Sequence, residues 1–178
     1  MQIRNSKQSY GSLTKSLHWL LALAIVGLFA LGLWMRELGY YDSWYQTAPY
    51  IHQSVGILVM LFMLFRMLWR LSTPLPTAIT SQARWEHISA HITHWILYLL
   101  VFVICVSGYL INADERTVPL FDWLELPPLL LNLDDQEELM GELHFYSAWA
   151  IMLLAGVHAL AALKHHYVDR DETLKRML

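Results

Sequence analysis

Four long apolar runs separated by polar segments organise the 178 residues of the chain. They cover about residues 17–35, 51–71, 88–111 and 143–163. Each holds about 19 to 24 residues, enough to cross a hydrocarbon layer with some tilt. Inside lipid the backbone groups must be satisfied within their own segment, so each run is expected as a helix. The expected fold is all-α: a four-helix transmembrane bundle forming one integral membrane domain over residues 1–178. No internal repeat or low-complexity tract interrupts the pattern.

Charge gives the bundle a direction. Arg4, Lys7 and Lys15 precede the first run, and Arg66, Arg70 and Arg84 lie at or near the second connection. Lys164, Arg170, Lys175 and Arg176 follow the last run, whereas the other two connections hold only Arg36 and Arg116. That bias predicts both termini and the middle connection on the cytoplasmic side. Trp34, Trp44, Trp69, Trp85 and Trp123 fall near run ends, where interfacial anchors belong. The polar, basic start and the late first run, with no A-x-A-like site after it, predict no cleavable signal peptide. The long outer connection, Asn112 to Gly141, is acidic: Asp114, Glu115, Asp122, Glu125, Asp134, Asp135, Glu137 and Glu138 face one Arg116. It reads as a solvated loop with a short interfacial element around Leu-Pro-Pro, or as a docking surface for a cationic protein.

Composition agrees with the pattern. Hydrophobic residues make up 56% of the chain and charged ones 15%, outside the range of ordinary soluble domains. The single cysteine, Cys105, excludes a disulfide framework or a thiolate metal site within one chain and reads as packing. No nucleic-acid partner is expected.

The chemistry lies in the histidines. His144 and His158 stand fourteen residues apart on the fourth run, close to four helical turns, so both leave one face about 21 Å apart. His18 lies at the inner end of the first run, level with His158. His52 lies at the outer start of the second, level with His144. Two imidazoles at one depth, twice, suit axial ligation of two haems. Bis-histidine ligation closes both axial positions and favours electron transfer. A single histidine at a run end is more often an interfacial residue. The joint pattern is what points to metal ligation.

His52 and Arg66 repeat the fourteen-residue spacing, which aims Arg66 at the inner level. There it would pair with a haem propionate or snorkel to the surface. Gly27, Gly32, Gly56 and Gly156 sit where a flat macrocycle would need room, although helix packing asks for the same residues. His87, His91 and His94 share a face at the inner start of the third run. They read as interfacial hydrogen-bonding groups, near an inner propionate at most. His165 and His166, just past the fourth run, would supply hydrogen-bond donors to a quinone or simply line the interface.

With these pieces in place, the chain resembles the bacterial cytochrome b561 family. The matching stretches are LHWL at His18, IHQSVGILVMLFMLFRMLWRL from His52, AHITHWILYLL, LHFYSAWA at His144, GVHALAALKHHY at His158 and the tail DETLKRML. The resemblance covers essentially the whole chain. It implies a four-helix bundle in the bacterial inner membrane with two b-type haems, His18, His52, His144 and His158 standing where the family's axial ligands stand. It also implies quinone chemistry at the inner side and, in one form, a superoxide:ubiquinone oxidoreductase. An outer site for an anion should be electropositive, so the acidic outer connection argues for a redox protein as the competing donor. In that alternative the chain is a haem-bearing anchor or relay subunit. A haem-free transporter would explain neither the paired depths nor the fourteen-residue spacings.

Overall fold

The computed structural model describes residues 2–79, 82–111, 117–131, 133 and 135–178. Four helices run up and down: α1 Ser12–Met35, α2 Thr47–Ser72, α3 Arg84–Leu110 and α4 Gln136–Tyr167. All four are long and apolar enough to cross a membrane. They outrun the expected segments, most of all α4, which starts seven residues before residue 143. The apolar run measures only what sits in hydrocarbon. Helical hydrogen bonding continues into the polar interface, where Glu137 and Glu138 in the first turn of α4 suit its positive dipole end. Pro49 falls in the first turn of α2, where its missing N–H costs nothing.

The helices are clad in apolar side chains outside as well as inside. Leu23, Leu153 and Leu160 are 66–73% exposed, as expected of surfaces that meet lipid. The core is a thin central layer of Leu21, Val59, Met63, Tyr98, Val101 and Ile151. Backbones pack closely between α1 and α2, between α3 and α4, and between α2 and α3. Helix α4 meets α1 and α2 through side chains, both histidine pairs among them.

Both chain termini lie at one end of the bundle, hereafter the termini end, and each is sewn down. Asn5 Oδ1 accepts from Gly11 N at 2.9 Å and Thr14 Oγ1 at 2.7 Å, while Asn5 Nδ2 donates to Thr73 Oγ1 at 3.2 Å. This hook ties the start of α1 to the end of α2. It requires Gly11, because a Cβ there would lie 2.2 Å from the carbonyl oxygen of Ile3 and 2.6–2.7 Å from the Arg4 carbonyl. Gly11→Ala is expected to cost about 1–3 kcal/mol by forcing the hook off α1, measured as a lower thermal midpoint in detergent. At the other terminus, Trp19 Nε1 donates to Met177 O at 2.8 Å and Arg176 Nη1 to Thr77 O at 2.7 Å, folding the tail back under the bundle.

The opposite, loop end differs from expectation. Ahead of Leu-Pro-Pro, which begins at Leu126, stands an antiparallel hairpin that the sequence did not signal, β1 Val118–Leu120 with β2 Leu124–Leu126. It is fastened to α2 by the fully buried Ser54, whose Oγ donates to Pro119 O at 3.1 Å and accepts from Phe121 N at 2.9 Å. Gln136 Nε2 donates to Leu110 O at 2.9 Å, joining the start of α4 to the end of α3. Of the acidic residues expected in this connection, Asp114, Glu115 and Asp134 lie outside the described residues, as does Arg116. Asp122 accepts from Tyr50 Oη at 3.0 Å.

Candidate haem-binding site

The four expected histidines form the two expected pairs, one at each end of the bundle. His52 and His144 have ring centroids 6.0 Å apart, and His18 and His158 6.4 Å. A metal–imidazole bond of about 2 Å, with the ring nitrogen about 1.1 Å from its centroid, puts two imidazoles on opposite sides of one metal at about 6 Å. Both pairs have that spacing.

At the loop end the surroundings prepare the pair for a ligand. His144 Nδ1 lies 2.9 Å from Ile104 O, and a carbonyl can only accept, so Nδ1 carries the proton and Nε2 keeps its lone pair. This is the arrangement in which a ligating histidine is held by its other nitrogen. Among the described residues His52 Nδ1 is buried with no hydrogen-bond partner, an unusual state for a polar atom. A cavity of about 590 Å³ opens beside the pair, within the range of cofactor sites. Gly32, Arg36, His52, His144, Phe145 and Trp149 are among its walls.

Of the glycines read as leaving room for a macrocycle, Gly32 and Gly56 line this cavity. Gly32 makes room for the His52 ring, whose Cε1 would lie 3.2 Å from an added Cβ. Among the described residues nothing lies within 4 Å of that position at Gly27, Gly56 and Gly156, which leaves open space there. The tightest approach is at Gly108 on α3, where a Cβ would meet His144 Cε1 at 2.7 Å and Nδ1 at 2.8 Å. Sequence reasoning missed Gly108 and the Ile104 carbonyl, since neither carries a side-chain signal. It read Arg36 as a loop charge only, whereas its guanidinium lies 4.7 Å from the Phe145 ring centre on the cavity wall.

At the termini end the pair has company. His94 of α3 stands 5.1 Å from His158, ring to ring. Arg66 Nη2 donates to His18 Nδ1 at 3.2 Å, and the Arg66 and Arg70 guanidinium carbons lie 5.4 and 5.8 Å from the Tyr98 ring centre. His87 and His91 do not join this group. His87 Nε2 sits 3.3 Å from Ile79 O, and His91 Nε2 accepts from Trp95 Nε1 at 3.1 Å.

These observations suit an iron porphyrin: paired imidazoles at metal spacing, an unpartnered ring nitrogen, and a cavity beside it. A model of the prokaryotic cytochrome b561 family matches residues 9–178. The chain belongs to the prokaryotic cytochrome b561 family. Among its relatives, "Cytochrome b561 homolog 2" of Escherichia coli K12 is 44% identical over the whole of this cytochrome and 95% of its own length. "Probable superoxide oxidase CybB" of Yersinia pestis is 30% identical over 96% of each chain. "Cytochrome b562" of Cereibacter sphaeroides is 28% identical over 95% of this cytochrome and 94% of its own length. Membership makes this cytochrome a b-type haem protein that transfers electrons in the bacterial inner membrane, which it crosses several times.

His165 and His166 lie where α4 meets the tail. His165 Nδ1 is 2.8 Å from Asp169 Oδ2 and 3.2 Å from Asp171 Oδ2, close enough for charge pairing but poorly aligned for a hydrogen bond. His166 Nδ1 is buried without a hydrogen-bond partner among the described residues. Asp171 is nearly enclosed and accepts from Gln82 Nε2 at 2.7 Å and Thr173 N at 2.8 Å. Burial pushes the Asp171 carboxyl up, but these bonds and the charge of His165 outweigh it and hold it below the usual value. A depressed carboxyl stabilises the fold above its unfolded pKa and loses that effect as pH falls through the lowered value. The tail is therefore expected to stay docked at neutral pH and to loosen only in acid below the usual aspartate range, read as increased amide exchange over residues 169–178. Asp171→Asn should remove that acid step.

Proposed function

We propose that this cytochrome carries electrons across the bilayer between two b haems, one held by His52 and His144 and the other by His18 and His158. The observation behind this reading is the pair of imidazole–imidazole spacings, 6.0 and 6.4 Å, at opposite ends of one bundle. Each haem, held by the two imidazoles of its pair, would supply a one-electron iron couple. The protein's part is to hold the rings, exclude water and place charge. With both termini cytoplasmic, as the lysine and arginine bias requires, the loop-end site faces the periplasm.

Arg66 is the propionate partner in this reading. While it donates to Nδ1, His18 carries its proton on Nε2 and is not a ligand through that atom. A carboxylate in reach of Arg66 would draw the guanidinium away and free the ring for the other tautomer. His94 belongs to the same cationic group.

Electrons would enter at the loop end and leave to ubiquinone at the termini end. The quinone role falls to His166, whose Nδ1 lacks a partner, more than to His165, which faces the tail carboxylates. Superoxide is the donor in the most concrete version, supported by a relative bearing the name superoxide oxidase and by Arg36 on the cavity wall. The second reading, a relay for a partner redox protein, is favoured by Asp122, Glu125, Asp135, Glu137 and Glu138 around that cavity's end of the bundle.

Purified protein should show a low-spin b spectrum with two haems per chain, and His158→Ala should retain one. A variant that keeps both would defeat the assignment. Stopped-flow reduction near the diffusion limit by superoxide supports the oxidase, and sluggish reduction supports the relay.

A further inference from the structure

Charge is spread unequally over the two histidine pairs. At the termini end, Arg66 touches His18, and Arg66 and Arg70 both lie over Tyr98, one helical turn from His94. Among the described residues no carboxylate is within ion-pair reach of either arginine. At the loop end, the cavity wall carries Arg36 but also Glu142, two residues before His144. Asp122 approaches from the hairpin, bonded to Tyr50 two residues before His52. The loop-end pair is therefore close to neutral or negative in its surroundings, and the termini-end pair is positive.

A reduced site holds one electron more than an oxidised one, so nearby cations favour reduction and anions oppose it. Such charges count most where water is excluded and salt cannot screen them. Arg66 and Arg70, half-buried between helices, meet that condition better than the surface lysines and better than Glu142, which is exposed and so acts more weakly. If Arg66 pairs with a haem carboxylate, its removal uncovers a negative charge, which moves the site in the same direction.

We infer that Arg66 and Arg70 make the His18–His158 site the higher-potential one, that Glu142 holds the His52–His144 site lower, and that this charge gradient directs electrons from the loop end to the termini end. The step is a one-electron exchange in which the loop-end site is oxidised and the termini-end site reduced, with no bond made or broken and no proton moved. The inference rests on the two-haem reading above.

The test is an equilibrium redox titration of the haem-loaded protein in lipid nanodiscs, followed at the haem absorption bands. Two one-electron waves are expected, and His144→Ala should remove the lower. Arg66→Gln should lower the upper wave by about tenfold in the one-electron equilibrium, or 59 mV, with Arg66→Lys restoring most of it. Arg70→Gln should act in the same direction, and Glu142→Gln should raise the lower wave by about threefold. These two variants carry the test if Arg66→Gln takes up no haem. The inference is overturned if two bound haems titrate as one wave, if His144→Ala removes the upper wave, or if the substitutions leave the separation unchanged. A chain that binds a single haem by stoichiometry overturns the two-haem reading itself, and haem counting tells that outcome apart.

Discussion

Gly108→Ala is expected to empty the loop-end haem site and leave the other pair intact. An added Cβ at Gly108 would stand 2.7 Å from His144 Cε1 and 2.8 Å from Nδ1, closer than real carbon contacts allow. The ring has little freedom to yield, because Nδ1 is held 2.9 Å from Ile104 O on the same face of α3. Relief must come from turning the imidazole off that carbonyl or from parting α3 and α4, two helices packed along their backbones. Overpacking of this kind costs about 1–3 kcal/mol, and here the strain falls on an imidazole whose tautomer and aim depend on the contact it would lose. Haem content should fall from two per chain to one, with the surviving signal matching that of His144→Ala. Gly39→Ala, in the connection between α1 and α2, where an added Cβ would meet Asp42 Oδ2 at an ordinary 3.5 Å, is the control and should keep both. Full haem content in Gly108→Ala would show that His144 does not depend on this approach.

The second large effect separates two histidines that crowd a third. His18 and His94 both neighbour His158, at 6.4 and 5.1 Å between ring centroids. Only the longer spacing leaves room for a metal between two imidazoles, about 6 Å by bond lengths. His18→Ala should abolish the low-spin signal of the termini-end haem. His94→Ala should keep the haem bound by both axial nitrogens and alter only its environment, seen as a small band shift. Low-temperature spectra of the two variants check this. If His94→Ala loses the haem and His18→Ala keeps it, the axial pair is His94 with His158.

Much of this architecture was readable in one dimension. The four spans follow from the length of the apolar runs, because hydrocarbon admits no unsatisfied backbone. Their ends did not follow, since helices α1 to α4 continue into interfaces where polar residues obey ordinary helical preferences. The pairing of His18 with His158 and of His52 with His144 was legible for a related reason. A straight helix converts residue number into depth, so two histidines fourteen residues apart on one helix find partners at matching depth on others.

The hairpin was not legible. Residues 118–126 carry weak strand signals, and what holds them is Ser54, 65 residues away from Pro119 in sequence. His94 was grouped with His87 and His91 by its helical spacing, yet of the three it is the one that stands beside His158, because helix rotation against α4 selects one position of the three. The glycines were legible only in part. Room for a macrocycle was read at Gly27, Gly32, Gly56 and Gly156, of which Gly32 and Gly56 line the cavity, but the close approach of His144 to Gly108 carried no signal in the sequence.

By itself the sequence determined how many times the chain crosses the membrane, which residue types meet at each depth, and the family to which it belongs. Hydropathy and helical periodicity act locally and survive without coordinates. Only the tertiary structure decided which side chains touch: that Ile104 orients His144, that Gly108 admits its ring, that Arg66 rests on His18, and that Arg36 and Glu142 share one cavity wall. Those contacts depend on how each helix is turned about its own axis, and the packing of four helices against one another sets that angle.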